Sequence, residues 1–302
     1  LMCSEDVMSQ SIPLIANFTS GRGRCATQIH EVIRAFAAKG YGTDVHVTSR
    51  RGHATELAME YAKSGLLTCA GGDGTLNEVI TGVMRLPEEE RPTLGYIPCG
   101  STNDFAATLG LPGDMAKAAQ RIMEMNPITL DVGRYQNRYF SYVASFGAFT
   151  EASYSTPQDM KNALGHFAYV IEGVRNLQTL RPYAMRFEAD GQVYEGDYLF
   201  GAISNSTSIA GLVKLDEELV KLNDGLLELL LIRYPQSLDE LGRVAICLNM
   251  QNYDHPAITL VQAKKIVIDN PDHTPFTLDG EYGSDEERIV IENVHHAIRL
   301  MA

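Results

Sequence analysis

Short apolar runs alternate with segments of helical period over the first 125 residues or so. Ser11–Ala16, Asp44–Thr48, Leu66–Ala70 and Thr93–Ile97 read as strands. Between them, Cys25–Lys39 places Ile29, Val32, Ile33 and Phe36 on one helical face and stops at Gly40. His53–Ser64 and Leu76–Met84 carry the same spacing, and Thr102–Leu109 and Gly113–Met125 predict two further helices. This alternation implies an α/β domain whose mostly parallel sheet is covered on both faces, in three layers. In such sheets ligands bind beyond the carboxyl ends of the strands.

From about Ile128 the pattern shifts to strand period. Thr129–Tyr135, Arg138–Ser145, Tyr183–Ala189, Gln192–Ser204, Leu226–Arg233, Ile258–Val261, Lys264–Asp269 and Arg288–Glu292 read as strands. Asp190-Gly191 between two of them is a hairpin signal. Helical patterns interrupt near Asp159–Leu180 and Ser237–Asn249. The predicted division is therefore 11–127, an α/β domain, and 128–292, a mostly antiparallel domain. Residues 293–302 are a candidate return to the first. Leu1–Gln10, polar and mixed, reads as a disordered lead without the layout of a signal peptide.

Composition narrows the function. A hydrophobic share of 45% against 21% charged residues predicts a sizeable buried core. A net charge of −13 argues against coating nucleic acid and against strong general attraction to an anionic membrane. Arg22, Arg24, Arg50 and Arg51 still leave room for a local basic patch. The five cysteines, Cys3, Cys25, Cys69, Cys99 and Cys247, lack CxxC spacing and read as reduced thiols of a cytosolic protein. No apolar run nears the roughly 20 residues needed to span a bilayer.

The chemistry concentrates in loops. Gly71-Gly72-Asp73-Gly74-Thr75-Leu76-Asn77-Glu78 joins an apolar strand to a helix. Glycines allow close backbone approach, and a helix start offers N–H groups and a positive dipole end to an anion. Asp73 would repel phosphate by itself; it makes chemical sense facing a metal ion or a nucleophile. The loop Asn17-Phe18-Thr19-Ser20-Gly21-Arg22-Gly23-Arg24 combines hydroxyls, glycines and guanidinium groups suited to oligophosphate, or is a plain solvated turn. It also matches a dinucleotide fingerprint, Gly21-x-Gly23-x-x-Ala26 with Asp44 beyond, but Asn17–Ser20 intervene after the strand. No Walker A sequence occurs. Gly100-Ser101-Thr102-Asn103-Asp104 opens another helix, where Ser101 or Thr102 reads as the cap and Asn103-Asp104 as the first turn. Asp279-Gly280-Glu281 is a tight turn or the carrier of a general base. Lys221-Leu222-Asn223-Asp224-Gly225-Leu226 is a hairpin turn or a holder of a hard cation. The eight histidines form no HExxH-like set, and His295-His296 reads as an exposed strand-end pair.

Taken together, these elements resemble the catalytic domain of the bacterial diacylglycerol kinase-like lipid kinases, relatives of eukaryotic diacylglycerol, sphingosine and ceramide kinases. The resemblance spans about Ile12 to Leu300 and is most specific at Gly71–Val79 and Gly100–Ala106. It implies an N-terminal nucleotide-binding domain of the kind found in NAD kinases, a C-terminal β-sandwich, and ATP between them. Carried over by motif, Asn17, Phe18, Thr19, Ser20, Gly21, Thr48, Gly72, Asp73, Gly74, Thr75, Leu76, Asn77, Glu78 and Ser101 contact ATP. Asp73 and Asp104 organise phosphates and a catalytic Mg²⁺, and Glu281 accepts the proton. Main-chain carbonyls of Lys221 and Leu226 with the Asp224 carboxylate hold a structural Mg²⁺. Phe18 stands where the family commonly has Pro, and Ser101 where Thr is usual.

The expected reaction is ATP-dependent phosphoryl transfer to a lipid alcohol, diacylglycerol first, by a cytoplasmic protein that touches the inner membrane face transiently. No nucleic-acid partner is expected, and a homodimer through an exposed sheet edge is a candidate assembly. The rival readings are an NAD kinase-like small-molecule kinase, a nicotinamide-dependent oxidoreductase and a catalytically silent nucleotide-binding module.

Overall fold

Four parallel strands carry the first unit: β1 (Ser11–Ala16), β2 (Gly42–Val47), β3 (Leu66–Gly71) and β4 (Thr93–Pro98), in the order β2-β1-β3-β4. The structure, a computed structural model, describes residues 10–148, 150, 180–209 and 213–302. The expected lead Leu1–Gln10, except Gln10, and the expected helix Asp159–Leu180, except Leu180, lie outside them. Contacts divide the chain into two units, one running to Leu130 and including His296–Ala302, the other Asp131–His295.

The first unit is three-layered. Helices α1 (Ser20–Ala37) and α5 (Met115–Glu124) cover one face of the sheet, closing a core of Leu14, Val32, Phe36, Ile97, Ala119 and Ile122. Helices α2 (His53–Glu60) and α3 (Asp73–Met84) pack together with Leu57, Val79, Ile80 and Val83 buried. Near-continuous apolar strands such as Ile12–Ala16 follow from burial on both faces. The chain returns at its end: Arg299–Met301 pair in parallel with Thr93–Gly95.

Two local expectations fail in this unit, the first for an identifiable reason. The helix expected over Thr102–Leu109 is α4 (Asp104–Thr108), and neither Ser101 nor Thr102 caps it. Asn103 takes the capping position in a left-handed conformation, its side chain bonding Gly100 N and Gly100 O (2.9 and 3.0 Å), so the backbone becomes helical only at Asp104. The helix expected over His53–Ser64 ends at Glu60, followed by a 3₁₀ turn over Ala62–Ser64.

The second unit is an antiparallel β-sandwich. Its strands include β5 (Pro127–Tyr135), β6 (Arg138–Phe140), β7 (Val143–Gly147), β8 (Tyr183–Ala189), β9 (Gln192–Ser204), β10 (Ser208–Ile209) and β11 (Val213–Lys214). β12 (Leu227–Arg233), β13 (Ile258–Ala263), β14 (Lys265–Asp269), β15 (Phe276–Leu278), β16 (Glu281–Tyr282) and β17 (Arg288–Met301) follow, with α6 (Leu238–Asn249) after β12. Alternate residues Leu227, Leu229 and Leu231, Ile266 and Ile268, and Ile289 and Ile291 point into one aromatic core around Phe146, Phe187 and Phe276. The long β9 pairs with β8 through its first half and with β7 and β12 through its second.

The strand expected over Arg138–Ser145 is broken at Ser141-Tyr142. The break has one cause. Asp279, buried, accepts four hydrogen bonds of 2.7–3.0 Å from Ser141 N, Ser141 Oγ, Tyr142 N and Val143 N. Burial pushes its carboxyl above the usual range, and those bonds pull it back. Asp279 and Gly280, both left-handed, form the turn between β15 and β16, in which Leu278 faces Glu281.

Two predictions follow from these contacts. A Cβ at Gly201 would sit 2.2 Å from the ring of Phe146, its cross-strand partner. Gly201→Ala therefore overpacks the sandwich by about 1–3 kcal/mol and lowers the melting temperature; an unchanged melting curve refutes the contact. Asp279→Ala leaves three buried amides without an acceptor, at about 1–3 kcal/mol each, and accelerates hydrogen exchange at residues 141–143.

Candidate active site

The loops after β1, β3 and β4 are knitted to one another by hydrogen bonds that leave little freedom. Asn17 Nδ2 donates to Thr75 Oγ1 (3.1 Å), and Asn17 Oδ1 accepts from Thr19 N (3.1 Å) and Thr19 Oγ1 (2.8 Å). Gly72 N donates to Ser20 Oγ at 3.3 Å. Gly21, Arg22 and Gly23 run left-handed in succession before α1 turns regular. A Cβ at Gly21 would meet the Cys99 carbonyl oxygen at 2.0 Å, so only glycine fits where the first loop crosses the third. A hydrogen bond with Cys99 draws the Cys25 thiol below its usual range, against the effect of burial, and pushes Cys99 up.

Asp73 joins the second loop to the third. Its Oδ2 accepts from Asp104 N (3.1 Å) and its Oδ1 from Phe105 N (3.3 Å), so one carboxylate at the start of α3 satisfies two N–H groups at the start of α4. Gly72 and Gly100 lie backbone to backbone there: a Cβ on Gly100 would fall 2.5 Å from Gly72 Cα. Asp104 is buried beside this junction. No side chain caps α3, whose first turn faces this junction through Asp73. A glycine-lined cradle fed by helix N-termini is a fitting host for an oligophosphate.

Other residues expected to contact ATP divide by what they touch. Thr48 follows β2 directly, its amide on the Ala16 carbonyl at 2.9 Å. Ser101 is exposed, whereas Leu76 is fully buried in the core and offers a ligand only its backbone. The carboxylate of Glu78 is engaged at the start of α2, accepting from Gly52 N (2.8 Å) and Ala54 N (3.2 Å). Phe18, half-buried, packs against the core under α1 and α5. The expected arginine patch is partly occupied: Arg24 bonds the Gly113 carbonyl and Gln28, and Arg50 pairs with Glu56.

In the second unit, Glu281 stands exposed on β16, directly after the Asp279-Gly280 turn. The loop from Lys221 to Leu226 is held from beneath. Asp131, whose side chain is fully buried, accepts from Gly225 N (2.7 Å) and Asn293 Nδ2 (3.2 Å) and bonds His295 Nδ1 (3.0 Å). Asn205 Nδ2 donates to Leu222 O (3.3 Å), and Asn293 Nδ2 to Leu226 O (3.0 Å). Asp224 itself is exposed and closes a small turn onto Leu226 N at 3.0 Å. Among the described residues no three His, Cys, Asp or Glu side chains gather as a metal cluster, so a cation here depends on carbonyls, Asp224 and water.

Motif reading passed over Asp131, Asn205 and Asn293, and took His295 as half of an exposed strand-end pair, whereas it lies exposed within β17 and bonds Asp131. The one signal available was an acid inside an apolar strand run, Ile128-Thr129-Leu130-Asp131-Val132, since a buried carboxylate needs partners.

Comparison with known proteins identifies the family. The family model for the diacylglycerol kinase catalytic domain matches residues 11–135, and the YegS C-terminal NAD kinase beta sandwich-like domain matches 143–301. The chain is 36% identical over 274 residues to a diacylglycerol kinase of Bacillus subtilis (strain 168), covering 89% of each. It is 35% identical over 282 residues to one of Staphylococcus carnosus (strain TM300), covering 91% of this chain and 90% of that one. A crystal structure from Bacillus anthracis str. Sterne, assigned there provisionally as a diacylglycerol kinase, superposes with a TM-score of 0.81 at 26% identity, covering 97% and 96% of the two chains. The chain is thus an ATP-using kinase and belongs to the diacylglycerol kinase family.

Proposed function

We propose that this kinase transfers the γ-phosphoryl group of ATP to the hydroxyl of a lipid alcohol, with diacylglycerol as the acceptor and phosphatidic acid as the product. The observation that carries this reading is the junction at Asp73, which assembles three glycine-containing loops into one cradle. The names of its relatives supply the acceptor class.

Each group then has a role. Asn17–Gly21, Thr48, Gly72–Glu78 and Ser101 bind the nucleotide, the glycines through close backbone approach and main-chain N–H groups. Asp73 and Asp104 order the phosphate end, where Mg²⁺, when bound, neutralises developing charge. Glu281 takes the proton of the acceptor hydroxyl; an exposed carboxylate behind a rigid two-residue turn suits that role. Lys221, Asp224 and Leu226 hold a second, structural Mg²⁺ through oxygen ligands, and the anchoring of that loop by Asp131 keeps its carbonyls in place.

The acceptor sits in a bilayer, so the kinase works at a membrane surface, on the cytoplasmic side. Among the described residues no helix is long and apolar enough to cross a membrane, and the contact is transient. A homodimer through an exposed edge strand is the assembly proposed with it.

Incubating the purified chain with γ-labelled ATP and Mg²⁺, with a mixed lipid extract in one reaction and NAD in a parallel one, tests the reaction. Label is expected in phosphatidic acid. Label in another lipid phosphate would change the acceptor, and label on NAD would select the NAD kinase-like reading. Glu281→Gln is expected to keep its melting temperature and ATP binding while losing turnover by about 10²–10⁴, the usual worth of a positioned base. Wild-type turnover in that variant removes Glu281 from the mechanism.

A further inference from the structure

Segments that flank the loop from Lys221 to Leu226 carry buried oxygen atoms without partners. Ser204 Oγ, Asn205 Oδ1, Glu228 Oε2 and Asn293 Oδ1 are all shut off from solvent and all lack a hydrogen bond. Unsatisfied buried polar atoms are uncommon, because each costs about 1–3 kcal/mol. Two of them belong to the asparagines that hold carbonyls of the loop, and the other two, on Ser204 and Glu228, are cross-strand partners on the adjoining strands.

Three of them are acceptors only, while the Ser204 hydroxyl can donate as well as accept. The orientation of both asparagines is dictated by their surroundings. Asn205 Nδ2 faces the carbonyls of Asp131 (3.0 Å) and Leu222 (3.3 Å), and Asn293 Nδ2 faces Asp131 Oδ2 (3.2 Å) and the Leu226 carbonyl (3.0 Å). A flipped amide would set oxygen against oxygen. The remaining oxygens are therefore acceptors, and Glu228 adds a carboxylate to them. Acceptors alone demand a donor: a cation or the water bound to it.

Glu228 is placed to meet it. It sits two residues beyond Leu226 on β12, directly opposite Ser204 on β9 and Gln262 on β13. Its neighbours Leu227 and Leu229 point into the sandwich core, so its own side chain takes the opposite face. Gln262 Nε2 bridges Glu228 Oε1 (3.1 Å) and the Leu219 carbonyl (3.0 Å), which puts the carboxylate beneath the segment leading into Lys221.

We infer that Glu228, backed by Ser204, Asn205 and Asn293, is the inner wall of a hydrated divalent-cation site whose outer wall is the 221–226 loop. Glu228 acts as a positioning residue through cation-bound water, since no direct ligand geometry is required of it. The inference rests on the proposed cation role of Lys221, Asp224 and Leu226 and adds the residues that orient the water shell.

Mn²⁺ titration of the full chain without nucleotide, read by electron paramagnetic resonance, tests it with melting temperature as a fold control. Wild type is expected to bind Mn²⁺ displaceably by Mg²⁺, and Glu228→Gln and Asn293→Leu to weaken binding by about 10–100-fold. Glu228→Gln should melt no lower than wild type in the absence of cation. Asp224→Ala is expected to abolish binding. Loss in Asp224→Ala with Glu228→Gln within twofold of wild type overturns this inference and leaves the loop reading intact. Binding that survives Asp224→Ala but fails in Glu228→Gln overturns the loop reading and keeps Glu228. A wild-type chain that binds no Mn²⁺ overturns both.

Discussion

One carboxylate on two amides holds together the loops proposed as the kinase's nucleotide cradle. Asp73 accepts from the amides of Asp104 and Phe105, and everything proposed for the phosphate end depends on that bridge. α4 has five residues, too few to be stable alone. Its position comes from outside itself: from Asp73, from the Gly72–Gly100 backbone contact and from Asn103 folding back on Gly100. Hydrogen bonds to a charged group contribute about 1.5–3 kcal/mol, so the pair is strong enough to decide where such a short helix lies. Asp73 is thereby more than an isolated acid aimed at a metal: both of its oxygens already have work within the protein.

The same device recurs through the chain. Glu78 holds the first turn of α2, Asp279 shapes the break between β6 and β7, and Asp131 holds Gly225 and His295. A strongly acidic protein has many carboxylates in solvent, where they set little beyond solubility. The ones that organise this fold are those that meet backbone N–H groups, where the carboxylate replaces hydrogen bonds that the chain could not otherwise make. Glu228 departs from that pattern. It is buried with half its carboxylate unpartnered, which is why it points to a missing donor.

Much of this was legible in the sequence. The parallel strands, the Asp190-Gly191 hairpin and the glycine-rich loop before α3 are local patterns, and local patterns survive in one dimension. Bonds between distant residues do not. Nothing near Thr102 reveals that Asn103 will fold back and delay the helix, and nothing near Ser141 reveals an acid 138 positions away that interrupts the strand. The strand expected over Arg288–Glu292 extends to Met301, because the end of β17 finds a parallel partner in β4 that period-two counting does not see. Likewise the motif at 221–226 shows a turn, while the side chains that hold it, Asp131, Asn205 and Asn293, come from three other segments.

Native-state hydrogen exchange at Asp104 and Phe105, paired with binding of a non-hydrolysable ATP analogue, tests the central claim most directly. Asp73→Ala is expected to speed exchange at both amides by on the order of tenfold or more and to weaken the analogue in parallel, with protection in the 131–295 unit unchanged. Wild-type protection at both amides, or undiminished analogue binding once that protection is lost, would contradict it.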